Sequence, residues 1–112
     1  MHTTAIGNRG EDLVSQWLLN NQFNIIDRNW KTRWCEVDVI ARKNQIIYFI
    51  EVKYRKNNLY GNGFDYITNK KQQQMQFAAE FWIKNQSYEG ECRLAAASVH
   101  GQSGEIEFID DL

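Results

Sequence analysis

One stretch, QIIYFIEVKYR at residues 45–55, sets the problem that the rest of the chain has to solve. Side chains alternate faces along a strand, so Glu51, Lys53 and Arg55 share one side and Tyr48, Ile50, Val52 and Tyr54 the other. Ahead of the charges, residues 46–50 are apolar on both faces, the pattern of a strand inside a covered sheet. A carboxylate and an ammonium that continue such a strand need a partner, a metal ion or an opening to offset their lost hydration.

The preceding residues supply a neighbour. Residues 34–42 carry the β formers Val37, Val39 and Ile40 and lead through Arg42-Lys43-Asn44-Gln45 into the central strand. A two-residue loop of Lys43 and Asn44 pairs residue 42 with 45, 38 with 49 and 36 with 51. Loops of even length then put Glu36 and Asp38 on the same face as Glu51 and Lys53; an odd loop would separate them. In this register Glu36 stands directly opposite Glu51.

Around that hairpin the pattern predicts a loose start over residues 1–6. A helix follows over 7–20 with Leu13, Val14, Trp17 and Leu18 as its apolar stripe, then a short strand over 23–28. Residues 57–65, NNLYGNGFD, read as a mobile loop rich in Asn and Gly. A second helix is predicted over 69–85, with Met75, Ala78, Ala79 and Trp82 on one face and Lys71 continuing that face at its start. Strands at 92–100 and 105–109 complete the order α-β-β-β-α-β-β, an α/β domain with a central mixed sheet flanked by helices. Trp17, Trp34 and Trp82 read as core. The 112 residues suit one domain.

Net charge is −1, which argues against a generic basic nucleic-acid binder. The charge is unevenly spread, however. Residues 28–56 hold eight basic side chains against three acidic ones, and residues 85–112 hold one against six. A basic middle with an acidic tail suits a polyanion meeting one face, and equally suits an ordinary solvated surface. The two cysteines, Cys35 and Cys92, form no ligand cluster and read as reduced thiols. With no long apolar run, the expectation is a cytoplasmic protein with no membrane association.

Glu36, Asp38, Glu51 and Lys53 are the groups that metal-assisted phosphodiester hydrolysis uses. Carboxylates from neighbouring strands can hold Mg²⁺ or Mn²⁺, which neutralises the phosphate and lowers the pKa of an attacking water. A lysine two residues on can orient that water and stabilise charge on the phosphate.

The ordered set resembles the YraN-like family of small bacterial proteins. It comprises Gly10-Glu11, then Glu36-Val37-Asp38-Val39-Ile40-Ala41, then Ile50-Glu51-Val52-Lys53-Tyr54-Arg55, then Leu59-Tyr60-Gly61 and a helix entered by Lys71. That family is assigned to the restriction-endonuclease-like superfamily, alongside archaeal Holliday-junction resolvases. The likeness covers about residues 7–109. It implies Asp38 and Glu51 as metal ligands, Lys53 as the catalytic lysine and Glu11 as a helix-borne acid completing the site. Glu36, Arg55 and Lys71 match accessory positions. Arg55, Lys56, Lys70 and Lys71, with the ring of Tyr60, are the candidates for nucleic-acid contact. Two residues depart from the pattern: Cys35 replaces the usual glycine before Glu-x-Asp, and Ala95 stands where relatives tend to carry an aspartate.

The implied function is a Mg²⁺-dependent nuclease acting on DNA, including branched or structured DNA; junction resolution would require a homodimer. The alternative is a catalytically inert nucleic-acid-binding or protein-interaction module that keeps the fold. Simpler readings stand beside these for single residues. Asn8 and Glu11 resemble a capping box. Glu36 and Asp38 could line the wet face of an edge hairpin. Tyr54, Tyr60, Phe64 and Tyr66 serve as packing or loop anchors, or stack on bases. His2 and His100 are too isolated to be ligands.

Overall fold

The computed structural model describes residues 5–55 and 64–112. Its elements follow the expected order: α1 (Ala5–Asn20), β1 (Asn24–Lys31), β2 (Glu36–Lys43), β3 (Ile46–Arg55), α2 (Asn69–Gln86), β4 (Glu91–His100) and β5 (Ile106–Ile109). The five strands form one sheet in sequence order. β3 and β4 run parallel, because α2 carries the chain back across the sheet; every other neighbouring pair is antiparallel. Among the described residues no helix is long and apolar enough to cross a membrane. The loop expected at 57–65 falls mostly outside the described residues.

A helix covers each face. On one, Val14 and Leu18 of α1 pack with Phe23, Val39, Ala41, Tyr48, Ile50, Ala95, Ala97 and Val99. On the other, Ala78, Ala79 and Trp82 of α2 meet Val37, Ile40, Ile47 and Phe49. Phe49 meets Trp82 edge to face, with centroids 5.5 Å apart. This double coverage is why residues 46–50 carry no charged side chain. Each fully buried side chain of this size contributes about 1.5–3 kcal/mol through burial.

α2 opens on Thr68, whose hydroxyl accepts from the Lys71 N–H at 3.1 Å, and closes on Ser87 in the left-handed region at φ +52°. α1 begins at Ala5, so Asn8 lies inside the helix and cannot cap it; the capping-box reading of Glu11 fails. Gly10 sits where an added Cβ would come within 3.2 Å of the Tyr54 side chain. Its missing side chain therefore lets α1 settle closely onto the far end of β3.

The hairpin keeps its predicted parity but turns later than expected. Its loop is Asn44-Gln45, both at positive φ (+53° and +67°), as a type I′ turn demands. Lys43 pairs with Ile46 and Val39 with Ile50. Carried one step further, that offset sets Asp38, not Glu36, level with Glu51. The strand bounds shift for similar reasons. β1 runs on to Lys31 through Asn29 at φ +53°, and Trp34-Cys35 belongs to the turn before β2.

Candidate functional site

The site forms where the β2–β3 ladder stops. Paired residues end at Val39–Ile50, while β3 continues beside β4 to Arg55. Past the last rung, the Val52 N–H donates to Oδ2 of Asp38 at 2.8 Å. A side chain of β2 thus stands in for a backbone partner. Alternation breaks at the same place: Val39 packs on the α1 side, whereas Val37, two residues earlier, packs on the α2 side. Asn29, the left-handed residue of β1, lies between the paired rungs Arg28–Val39 and Trp30–Val37 that flank this break.

Acidic side chains converge on that notch. Burial pushes the Asp38 carboxyl up to about 7; the charge of Glu51 adds to this, as do Glu11 and Glu36, against the Val52 hydrogen bond, which favours the ionised form. Glu51 is paired with Lys71, Oε2 to Nζ at 3.1 Å. Glu11 comes from the opposite layer. It is buried; among the described residues its Oε1 has no hydrogen bond, and Arg28 Nη2 lies 3.8 Å away. Arg28 turns instead to the exposed Asp12 at 2.7 Å.

Past Ile50 the α2 face of the sheet becomes polar. Odd residues of β3 hold this face throughout: Ile47 and Phe49 pack under α2, and Glu51 reaches Lys71. Lys53 follows, its ammonium 5.9 Å from the centre of the Tyr66 ring. The Tyr66 hydroxyl donates to the carbonyl of Ala97 at 3.4 Å. Burial, then Glu51 and Asp38, raise its pKa, so it stays a neutral donor. Arg55 opposes that shift.

Of the residues singled out from the sequence, Asp38, Glu51, Glu36, Glu11 and Lys71 therefore gather at the notch, and Lys53 and Arg55 extend it along β3. Lys70 lines the groove that opens beside Glu36 and Glu51. Lys56 and Tyr60 lie outside the described residues. Glu36 does not stand directly opposite Glu51; the expected like-charge rung is absent, and Asp38 lies level with Glu51 just past the last pair, Val39–Ile50. Ala95 packs among the α1 core residues, facing away from Glu51.

Three residues on the polar face were not foreseen. Parallel pairing sets Ser98 level with Lys53 and His100 level with Arg55, and β5 adds Glu107 beside Ser98. His100 Nε2 lies 3.1 Å from Glu107 Oε1, so His100 is not isolated. The Ser98 hydroxyl is fully buried and has no hydrogen-bond partner among the described residues. Their common signal is alternation in β4 and β5, which gives the face of each residue but not its neighbours.

Among the described residues, no group of three or more His, Cys, Asp and Glu side chains is gathered to hold a metal ion. The chain would thus offer a dication chiefly two carboxylates, Asp38 and Glu51. This donor set fits Mg²⁺ or Mn²⁺, which leave several positions to water and substrate oxygens. It also fits the electrostatics, since a cation would offset the burial and the neighbouring carboxylate charges that together raise Asp38 to about 7.

Fold and site define a small α/β domain with one mixed sheet and an acid-lined notch where two of its strands part. The chain belongs to the family described as "Uncharacterised protein family UPF0102", whose profile matches residues 10–109. A UPF0102 protein of Fusobacterium nucleatum is 37% identical over 89 residues, spanning 80% of this chain and 75% of the relative. One from Rhodococcus opacus is 34% identical over 98% of this chain and 97% of its own. Another, from Vibrio parahaemolyticus, is 31% identical over 95% and 89%. The resemblance read from the motifs thus extends across nearly the whole domain.

Proposed function

We propose that this protein is a divalent-metal-dependent nuclease that hydrolyses phosphodiester bonds in DNA, including branched or structured DNA. The observation carrying this reading is the Asp38–Glu51 pair at the end of the β2–β3 ladder, with Asp38 held near 7 by burial and by its acidic neighbours. Asp38 and Glu51 would hold the Mg²⁺ or Mn²⁺ ion. Bound there, the ion would supply Lewis acidity, screening the phosphate and making water nucleophilic at neutral pH.

The chain's own residues would do the rest. Lys53, two residues beyond Glu51, orients the attacking water and stabilises charge on the phosphate oxygens. Lys71, 3.1 Å from Glu51, supplies a second positive charge. Arg55 extends the positive rim for neighbouring phosphates, as does Lys70. Glu11 and Glu36 strengthen the field that favours a cation. Two free cysteines suit a reducing, cytoplasmic setting, and junction resolution would require a homodimer carrying two such sites.

Purified protein incubated with plasmid, single-stranded and four-way-junction DNA should cleave at least one of them with Mg²⁺ or Mn²⁺. Asp38→Ala and Lys53→Ala should each lower the rate by about 100-fold or more, with the circular dichroism spectrum unchanged. Wild-type rates in both folded variants would refute the proposal. A second reading draws on the Glu51–Lys71 pair, which already neutralises one proposed ligand: an inert nucleic-acid-binding or protein-interaction module. Salt-sensitive DNA binding without cleavage under any divalent ion would favour it.

A further inference from the structure

The groove beside the carboxylates runs into aromatic surface for which hydrolysis alone has no use. It encloses about 630 Å³ between the turn preceding β2 and the first half of α2. Glu36 and Glu51 of the notch line it together with Trp34 and Phe77. Trp34 is 64% exposed and Phe77 50%, so the expectation that Trp34 belongs to the core is overturned. Large aromatic surfaces are costly to leave in water unless something covers them.

Neither ring is loosely held. Both rest on Phe81, with centroids 5.7 Å and 6.3 Å from it, and Phe81 in turn meets Trp30 at 6.1 Å. The turn carrying Trp34 is tied down by Thr32, whose hydroxyl accepts from the N–H groups of Trp34 and Cys35, each at 3.1 Å. The rings are thus presented rather than stranded.

Positive charge lies alongside. The Arg33 guanidinium sits 5.3 Å over the Trp34 ring, and Lys70 and Lys71 line the groove from α2. Lys71 and Phe77 are six positions apart, about 9 Å along the helix, the scale of a nucleotide. Fixed aromatic faces with cations along a groove suit bases that are free to leave a stack. A closed duplex offers such a groove phosphates and base edges, but no base face.

We infer that this groove seats an unpaired nucleotide of DNA, its base stacked on Trp34 or Phe77 and its phosphate directed toward Lys71 and the notch. The chemistry at the notch rests on the nuclease reading; the binding does not. Single-stranded DNA, or a strand leaving a duplex, is the ligand class that follows.

Fluorescence anisotropy with a labelled oligothymidine and a blunt duplex of equal length, in EDTA and again in Ca²⁺, tests this on the full chain. Wild type should bind the single strand more tightly. Trp34→Ala should weaken that binding about ten-fold, the size of one base–aromatic stack, and leave duplex binding unchanged. Trp34→Phe should restore most of it, and Phe77→Ala should act in the same direction as Trp34→Ala. The inference is overturned if wild type prefers the duplex or binds no single strand. It is overturned equally if both alanine variants bind oligothymidine like wild type. Cleavage assayed in parallel separates the two claims: Trp34-dependent binding without cleavage removes only the nuclease reading. Cleavage with oligothymidine binding indifferent to Trp34 and Phe77 removes only this one.

Discussion

Beyond Ile50 the two faces of the sheet part company. On the α1 side, Val52, Tyr54, Ala97, Val99, Ile106 and Phe108 continue the apolar core to the ends of their strands. On the α2 side the same strands present Glu51, Lys53, Arg55, Ser98, His100 and Glu107. Backbone and register are shared, so the difference lies in what covers each face. α1 approaches closely enough at Gly10 to touch Tyr54, whereas the buried residues of α2 begin only at Met75. The polar patch is thus the part of an α/β sheet that its second helix leaves uncovered. Ionisable groups are tolerable there because water, a cation or a polyanion can reach them.

The largest effect should come from the covered half. Phe49→Ala removes a fully buried ring under Trp82 and should cost about 3–5 kcal/mol in urea denaturation. A loss below about 1 kcal/mol would mean that α2 does not seal this half, and the contrast between the faces would collapse.

Asp38 should show the opposite sign, and only at higher pH. Its folded-state pKa, about 7, lies above the ordinary value of 3.8. Its ionised form therefore penalises the native state, and that penalty is absent below about pH 4. The penalty grows between about pH 4 and about pH 7 and is constant above. Asp38→Asn, still able to accept from Val52, should stabilise the metal-free protein by roughly 2–4 kcal/mol at pH 8 and hardly at all at pH 4. Thermal melts across this range check it; a pH-independent difference would mean that Asp38 is not held protonated by its surroundings.

The smallest effect compares neighbouring residues on opposite faces. Ser98→Ala deletes a buried hydroxyl that has no partner among the described residues and should stabilise by about 1 kcal/mol. Ala97→Ser puts a hydroxyl into the α1 core and should destabilise by about 1–3 kcal/mol. Equal changes in denaturation midpoint would show that the faces do not differ in polarity at this level.

Much of this arrangement is legible in the chain. Strand alternation alone sorts Glu51, Lys53 and Arg55 from Tyr48, Ile50, Val52 and Tyr54, and any even hairpin loop brings Asp38 to the acidic side. The loop itself lies one position later than the pattern predicts, because Asn44 and Gln45, rather than Lys43 and Asn44, both take left-handed backbone. Parity is unchanged by that shift while the individual rungs move with it, so Asp38 and Glu51 share a face and no Glu36–Glu51 rung forms. Trp34 read as core because tryptophan is usually well buried; its exposure depends on a turn fixed by Thr32 and on the position of Phe81.

The sequence alone determined the order of elements, the apolar stripe of each helix and the chemical set on one face of the hairpin. These depend on local periodicity, which 3.6-residue and two-residue repeats express directly. Only the tertiary structure decided that the β2–β3 ladder stops at Val39–Ile50, that Glu11 approaches Asp38 from the other layer, and that Ser98 and His100 stand beside Lys53 and Arg55. Each depends on residues far apart in the chain, brought together by a parallel crossover through α2 and by packing on both faces. Periodicity tells a side chain which way to point, and neighbouring elements decide what it meets.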